Sequence, residues 1–285
     1  YGEFYGQLCA LLDSPDCHIA HYFACPIGND LAFYCLVADD ASGYVLIASH
    51  RYGYYSEDGL ESVVQAHPQV HPFEREISEL FGVKFNRSPW DKPLRYPHNR
   101  FSHGSTIDNY PFYTIDGDTL HEVNVGPIHA GIIEPGAFRF ICNGERVLHL
   151  EIALGYQHRG VESLIAATGN RLRQAAIAET IAGDTAVGHT SAFAAVVEKL
   201  TGGFESSPRL EAERTVALEL ERIAMHIADT GALCMDIGYQ LGQVASEALR
   251  TMVINTTQLW CGNRFGKGLV RPFGSNFALD GPVSE

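Results

Sequence analysis

At Gly160 the sequence changes period, and this change restricts the fold more than any other feature. Downstream, apolar residues recur at helical spacing through four successive segments. Upstream, short apolar runs rich in Tyr, Val and Ile are cut by Asp, Gly, Pro and Asn-Gly turns in the manner of strands. Neither an all-β nor an all-α architecture accommodates both halves. The sequence therefore predicts an α+β protein: an N-terminal α/β domain, a small β region, then a helical bundle.

The upstream half divides further. Between Ala24 and Gly53 two apolar runs flank Asp39, Asp40, Ser42 and Gly43, a hairpin signal. Ser56 to His67 has an acidic, Ser-led start and apolar spacing that predict a helix. A second helix is expected from about His71, with Pro72 in its first turn and Gly82 at its C-terminal end. From Asn86 to Tyr113, Pro89, Pro93, Pro97 and Pro111 predict an extended, irregular segment. The composition shift places a domain boundary there, giving domains 1–112 and 113–285. Beyond it, Asn143-Gly144 reads as a tight hairpin turn.

Helices are then expected over Arg171 to Ile181 and Val187 to Leu200, the second stopped by Gly202-Gly203. A third opens at Ser207-Pro208, with Val216, Leu218, Leu220, Ile223, Ala224 and Ile227 as a broad buried stripe. A fourth runs from about Tyr239 to Thr257.

A net charge of −14 argues against nucleic-acid binding, which needs a basic face. Seven scattered cysteines with no Cys-x-x-Cys pair fit a reduced, cytoplasmic protein rather than a disulfide framework. No run approaches the ~20 apolar residues of a membrane helix. No Gly-x-Gly-x-x-Gly or phosphate-loop pattern provides a nucleotide site.

Five blocks carry a family resemblance. Phe73 to Phe85 (FEREISELFGVKF) resembles the signature of the 30-kilodalton subunit of respiratory complex I, with Glu79 where that family has Asp. Gly126 to Phe140, Leu154 to Leu164, Glu219 to Tyr239 and Gly262 to Pro272 are similar to the 49-kilodalton subunit and, more closely, to large subunits of group 4 nickel-iron hydrogenases. Their order is that of a fused two-subunit protein. In such proteins a further Cys-x-x-Cys lies near the C-terminus, so the resemblance implies more chain beyond Glu285.

One departure bears directly on chemistry. Where the hydrogenase family has roughly ERxCGxCxxxH, this chain reads ETIAGDTAVGH from Glu179 to His189. Ala182 and Thr185 stand in place of two metal-binding cysteines. A methyl and a hydroxyl cannot replace thiolates on a soft divalent metal. No metal bound by this chain is therefore expected.

The resemblance also nominates site residues. Glu162 matches a proton-gating glutamate; the alternative is a helix-start carboxylate paired with Arg159 or Arg171. His129 matches a loop that lines a quinone headgroup, or is a loop histidine bonded to backbone. His189 follows the cysteine positions as a group that could bond toward a metal's ligand, or is a satisfied core histidine. Asp184 could join Glu162, Thr185 and His189 in a polar, proton-conducting cleft, or cap the following helix. Glu221 and Arg222 read as scaffold. A metal site built from Glu162, Asp184 and His189 has no precedent in spacing and is not expected.

The implied setting is a membrane-associated oxidoreductase complex, in which this chain is one subunit, not active alone. It would bind no cofactor itself and lie beside an iron-sulfur small subunit, whose cluster carries the electrons, and beside membrane subunits. Its place would be cytoplasmic, on the inner face of the membrane. Quinone reduction and a purely scaffolding role are the alternatives.

Overall fold

The apolar runs of the first half pair as the turn residues predict. In the computed structural model, which describes residues 1–53, 59–104, 106–128 and 135–279, β1 (Cys17–Ile27), β2 (Asp30–Asp39) and β3 (Tyr44–Gly53) form an antiparallel sheet in that order. The Asp39 carboxylate accepts hydrogen bonds from the Ala41 and Ser42 N–H groups, each at 3.1 Å, and Gly43 takes a positive φ of 69°. The acid and the glycine thus set the turn between them. Phe33, Cys35 and Val37 of the central strand are fully buried, with Phe4 and Leu8 of α1 (Gly2–Leu12) in the same core.

The second expected helix is present as α2 (His71–Phe81), with Pro72 in its first turn. Gly82 ends it in the left-handed region at φ 69°. A Cβ there would lie 2.6 Å from the Phe101 ring, so glycine is required twice over.

The predicted helix over Ser56 to His67 is not formed in its described part, residues 59–67. Residues 54–58 lie outside those described. Leu60–Glu61 instead form β4, paired in parallel with β5 (Phe85–Asn86), and a turn follows in which the Ala66 and His67 N–H groups donate to the Val63 carbonyl. The reason is tertiary. Glu74 reaches across from α2 and accepts from the Ser62 hydroxyl at 2.6 Å and the Val63 N–H at 2.8 Å. Pro68 then keeps His67 out of the helical region, at φ −130° and ψ 88°.

The other charged residues of α2 organise the proline-rich segment. Arg75 donates to the Lys92 and Pro93 carbonyls at 2.8 and 2.7 Å, and its guanidinium lies 4.8 Å from the Trp90 ring centre. Glu79 accepts from the Arg95 and Tyr96 N–H groups, and Glu76 pairs with the Arg95 side chain. A second antiparallel sheet follows, β6 (Leu120–Val125), β7 (Ala137–Asn143) and β8 (Arg146–Ala153). Its β7–β8 turn is the expected one, with Asn143 paired to Arg146 and Gly144 at φ 57°. Buried Glu151 of β8 pairs with Lys92 and accepts from the Tyr113 N–H.

The chain divides into two compact units, Tyr1–His158 and Arg159–Glu285. The second holds α3 (Val161–Ala167), α4 (Arg171–Ala178), α5 (Ala186–Thr201), α6 (Pro208–Asp236) and α7 (Gln240–Cys261), then short strands β9 (Val270–Arg271) and β10 (Gly274–Ser275). Ser207 caps α6 by accepting from the Leu210 N–H. The expected stripe on α6 is corrected: Val216 and Ile223 are exposed, and the buried residues are Glu213, Ala217, Ala224 and Gly231. Small residues recurring at seven-residue spacing let α7 approach closely. A Cβ on Gly231 would stand 3.1 Å from that of Ser246.

Glu74 generates a pH dependence. Burial pushes its carboxyl from 4.5 to about 7, against the opposing effect of its two hydrogen bonds. The folded chain then keeps a proton that the unfolded chain releases. The contribution is present in full below the ordinary value and is lost as pH rises through the folded value. The full swing is about 3 kcal/mol. We expect urea unfolding to show stability falling between about pH 5 and pH 8, and Glu74→Gln to flatten that slope. An unchanged slope in the variant would assign it to other groups.

Candidate functional site

The turn between α4 and α5 is held from both ends by carboxylates. Glu179, at the end of α4, is 6% exposed and accepts from the Gly268 N–H at 2.7 Å and the Arg271 guanidinium at 2.6 Å. Gly268 sits at φ 85°, which favours glycine. This ties the start of the turn to the 262–272 segment. At the other end Thr185 is the N-cap of α5, yet its side chain makes no capping bond. Glu221 of α6 does that work, accepting from the Val187 N–H at 2.7 Å and the Gly188 N–H at 2.9 Å.

A second, largely buried pair braces the same elements. Glu198 of α5 and Arg214 of α6 are joined by two hydrogen bonds, at 2.7 and 3.1 Å. Glu198 also accepts from the Phe273 N–H, and Arg214 donates to the Arg271 carbonyl. Burial alone would raise the Glu198 pKa. The donors and charge of Arg214 outweigh it and hold the carboxyl below its ordinary value. Glu179, Arg271, Arg214 and Glu198 thereby form one connected network.

Between these anchors lie the positions of the replaced cysteines. Ala182 and Thr185 are both half-buried, and the Thr185 hydroxyl is buried without a hydrogen-bond partner. Asp184, between them, is exposed. It does not cap α5, as one reading of the sequence had it, since Glu221 satisfies those N–H groups. Instead Asp184, Glu221 and Arg264 line a narrow cleft with Ala217, Ala224 and Ile254. Burial, reinforced by the charge of Asp184, raises the Glu221 pKa against its two backbone hydrogen bonds.

The remaining candidates stand elsewhere. His189 is half-buried in the first turn of α5 and is not a wall of that cleft. Glu162 lies exposed in the first turn of α3, a helix that buries no residue. His129 falls outside the described residues. The structure lines one cleft with both Asp184 and Glu221. Glu221 was passed over as scaffold in the sequence. The signal was an acid four residues after Ala217 and three before Ala224, on the face that α6 buries.

The donors present do not fit a nickel-iron pair. The turn offers a methyl and a hydroxyl where that centre needs thiolates. Among the described residues no group of three or more His, Cys, Asp or Glu side chains is disposed to hold a metal ion.

No family model matches the chain. It is 28% identical over 213 residues to hydrogenase-4 component G of Escherichia coli, an alignment covering 69% of this chain and 38% of that protein. It is 32% identical over 149 residues to the membrane-bound hydrogenase subunit alpha of Pyrococcus furiosus, covering 52% and 34%. It is 31% identical over 153 residues to an NADH-quinone oxidoreductase subunit of Carboxydothermus hydrogenoformans, covering 52% and 40%. These similarities fit the fused 30/49-kilodalton-like hydrogenase large subunit read from the sequence. The chain spans about a third to two fifths of the length of these relatives.

Removing one partner of the Glu198–Arg214 pair leaves the other buried and unpaired, a loss of about 3 kcal/mol or more. Arg214→Met should lower the unfolding free energy of the chain by that order. The double variant Arg214→Met/Glu198→Gln should recover part of it. A double variant no better than the sum of the two singles would show that the pair is not coupled.

Proposed function

We propose that the chain is part of a subunit in a membrane-associated respiratory or energy-converting oxidoreductase complex, hydrogenase-like in scaffold and without the nickel-iron site. The observation that carries this reading is the turn from Glu179 to Gly188. Both of its ends are anchored by buried or half-buried carboxylates within segments that resemble the hydrogenase family in sequence, while Ala182 and Thr185 stand where that family has ligands. The scaffold outlasts the thiolates because neither anchor uses them.

In this reading the chain lies beside an iron-sulfur small subunit that carries the electrons. Among the described residues no helix is long and apolar enough to cross a membrane. The part left to this chain is the proton. Asp184, Glu162 and His189 are the groups assigned to it, with Asp184 exposed at the cleft mouth. Metal analysis of the full-length protein in its complex should find nickel well below stoichiometric. One nickel per chain would overturn the proposal.

A second reading is supported by the NADH-quinone oxidoreductase relatives. Here His129 donates a hydrogen bond to a quinone carbonyl. Quinone-dependent turnover of the intact complex should then collapse in His129→Ala, and full activity in that variant would reject the reading. A scaffolding role, by contrast, requires unchanged turnover in both Glu162→Gln and Asp184→Asn.

A further inference from the structure

We propose that Glu221 is the interior proton-holding carboxyl of the cleft between α5, α6 and α7, and that Asp184 exchanges its proton with solvent. As a step in turnover this rests on the proton-transfer reading above; as a titrating site it does not.

The geometry is that of a carboxyl caught between opposing demands. Glu221 lies half-buried on the face of α6 that carries Ala217 and Ala224, against walls that include Ile254 and Met225. Two N–H groups at the start of α5 stabilise its anion. Loss of water and the like charge of Asp184 favour the neutral acid. The backbone donors favour the anion while burial and Asp184 favour the acid, an opposition that a proton carrier needs and a purely structural cap does not.

The charged groups around it are few. Asp184 faces it from the turn before α5, and Arg264 lines the cleft from the loop after α7. Among the described residues the α5 and α7 walls contribute no ionisable group, and α7 brings the Thr257 hydroxyl. On its own helix Arg222 pairs with Glu219 at 3.3 Å. The Arg264 guanidinium lies 5.9 Å from the Phe265 ring centre. Asp184 is therefore the acid able to take up the proton. In the transfer the Oε–H bond of Glu221 breaks and an Oδ–H bond forms on Asp184, which releases the proton to water. No electron moves.

The test reads the carboxyl directly. In full-length protein carrying ¹³C-labelled glutamate, the Glu221 side-chain carboxyl should titrate above 4.5, and Glu221→Gln should identify its signal by removing it. Asp184→Asn, a change at an exposed turn, should move that midpoint down through loss of the like charge. Because the midpoint shift is read in a chain that retains Glu221, it does not depend on how well Glu221→Gln folds. A Glu221 that titrates at or below 4.5, or one that ignores Asp184→Asn, would overturn the proposal. If the coupled titration is found and Glu221→Gln leaves turnover of the intact complex unchanged, the site stands and the proton-transfer reading of the complex falls.

Discussion

A carboxylate taken out of water must find donors, and Glu179 finds them 89 and 92 residues further along the chain, in Gly268 and Arg271. Leaving such a charge unpaired costs several kcal/mol, comparable to the net stability of a domain. The segment from Gly262 to Ser275 therefore cannot lie elsewhere. Once it is placed, the Arg271 carbonyl and the Phe273 N–H stand ready for Arg214 and Glu198, which fix α5 against α6. The helical unit is thus organised less by a wide apolar core than by two largely buried ion pairs that share one short strand segment. The buried apolar cluster beside them, built on Val187, Ala194, Ala217 and Leu269, is small.

The first unit applies the same device. The charged signature of α2 occupies positions where a surface helix would ordinarily present solvated residues, yet Glu74 and Arg75 are buried. Each satisfies backbone that regular structure leaves unsatisfied: Glu74 the turn at Val63, Arg75 the carbonyls of Lys92 and Pro93, Glu79 the N–H groups of Arg95 and Tyr96. Four prolines make the segment from Asn86 to Tyr113 a poor strand and a worse helix. Its conformation is imposed by side chains from α2 in place of its own backbone ladder. That also explains why the signature alternates charge and apolarity within a single helix. Ile77 packs inward while its neighbours reach outward to the segment they hold.

What was legible in the sequence was whatever depends on a few adjacent residues. Asp39 with Gly43, Asn143 with Gly144, Pro72 with Gly82, and Ser207 with Pro208 each set a local backbone geometry, and each falls where it was expected. The failures are equally physical. Ser56 to His67 has helical spacing, but its backbone donors and acceptors are claimed by Glu74 and by the β4–β5 pairing, a tertiary demand that no local pattern encodes. On α6 the expected stripe holds at Ala224 and in part at Leu218 and Leu220, but it fails at Val216 and Ile223, because close helix packing selects Ala217 and Gly231 over bulk. The candidate site was legible as a location. Its working membership was not, since Glu221 is separated in sequence from the turn it completes, at Val187, by 34 residues.

The chemistry available at that turn follows from what its side chains can and cannot hold. Ala182 offers no donor atom, and Thr185 offers a hydroxyl that is buried and unpartnered, a poor ligand for a soft metal. Both anchors of the turn are carboxylates bonded to backbone N–H groups, so its geometry survives whether or not thiolates occupy the positions between. Shape and metal chemistry are separable here. What differs between the anchors is the surroundings. Glu179 has the Arg271 guanidinium at 2.6 Å, while Glu221 has two neutral N–H groups and a second acid nearby. Loss of water and that second acid push the Glu221 carboxyl above its ordinary value, against its two backbone donors. The asymmetry makes Glu179 the structural member of the two and leaves Glu221 as the one whose charge can change without unmaking the network around Arg271.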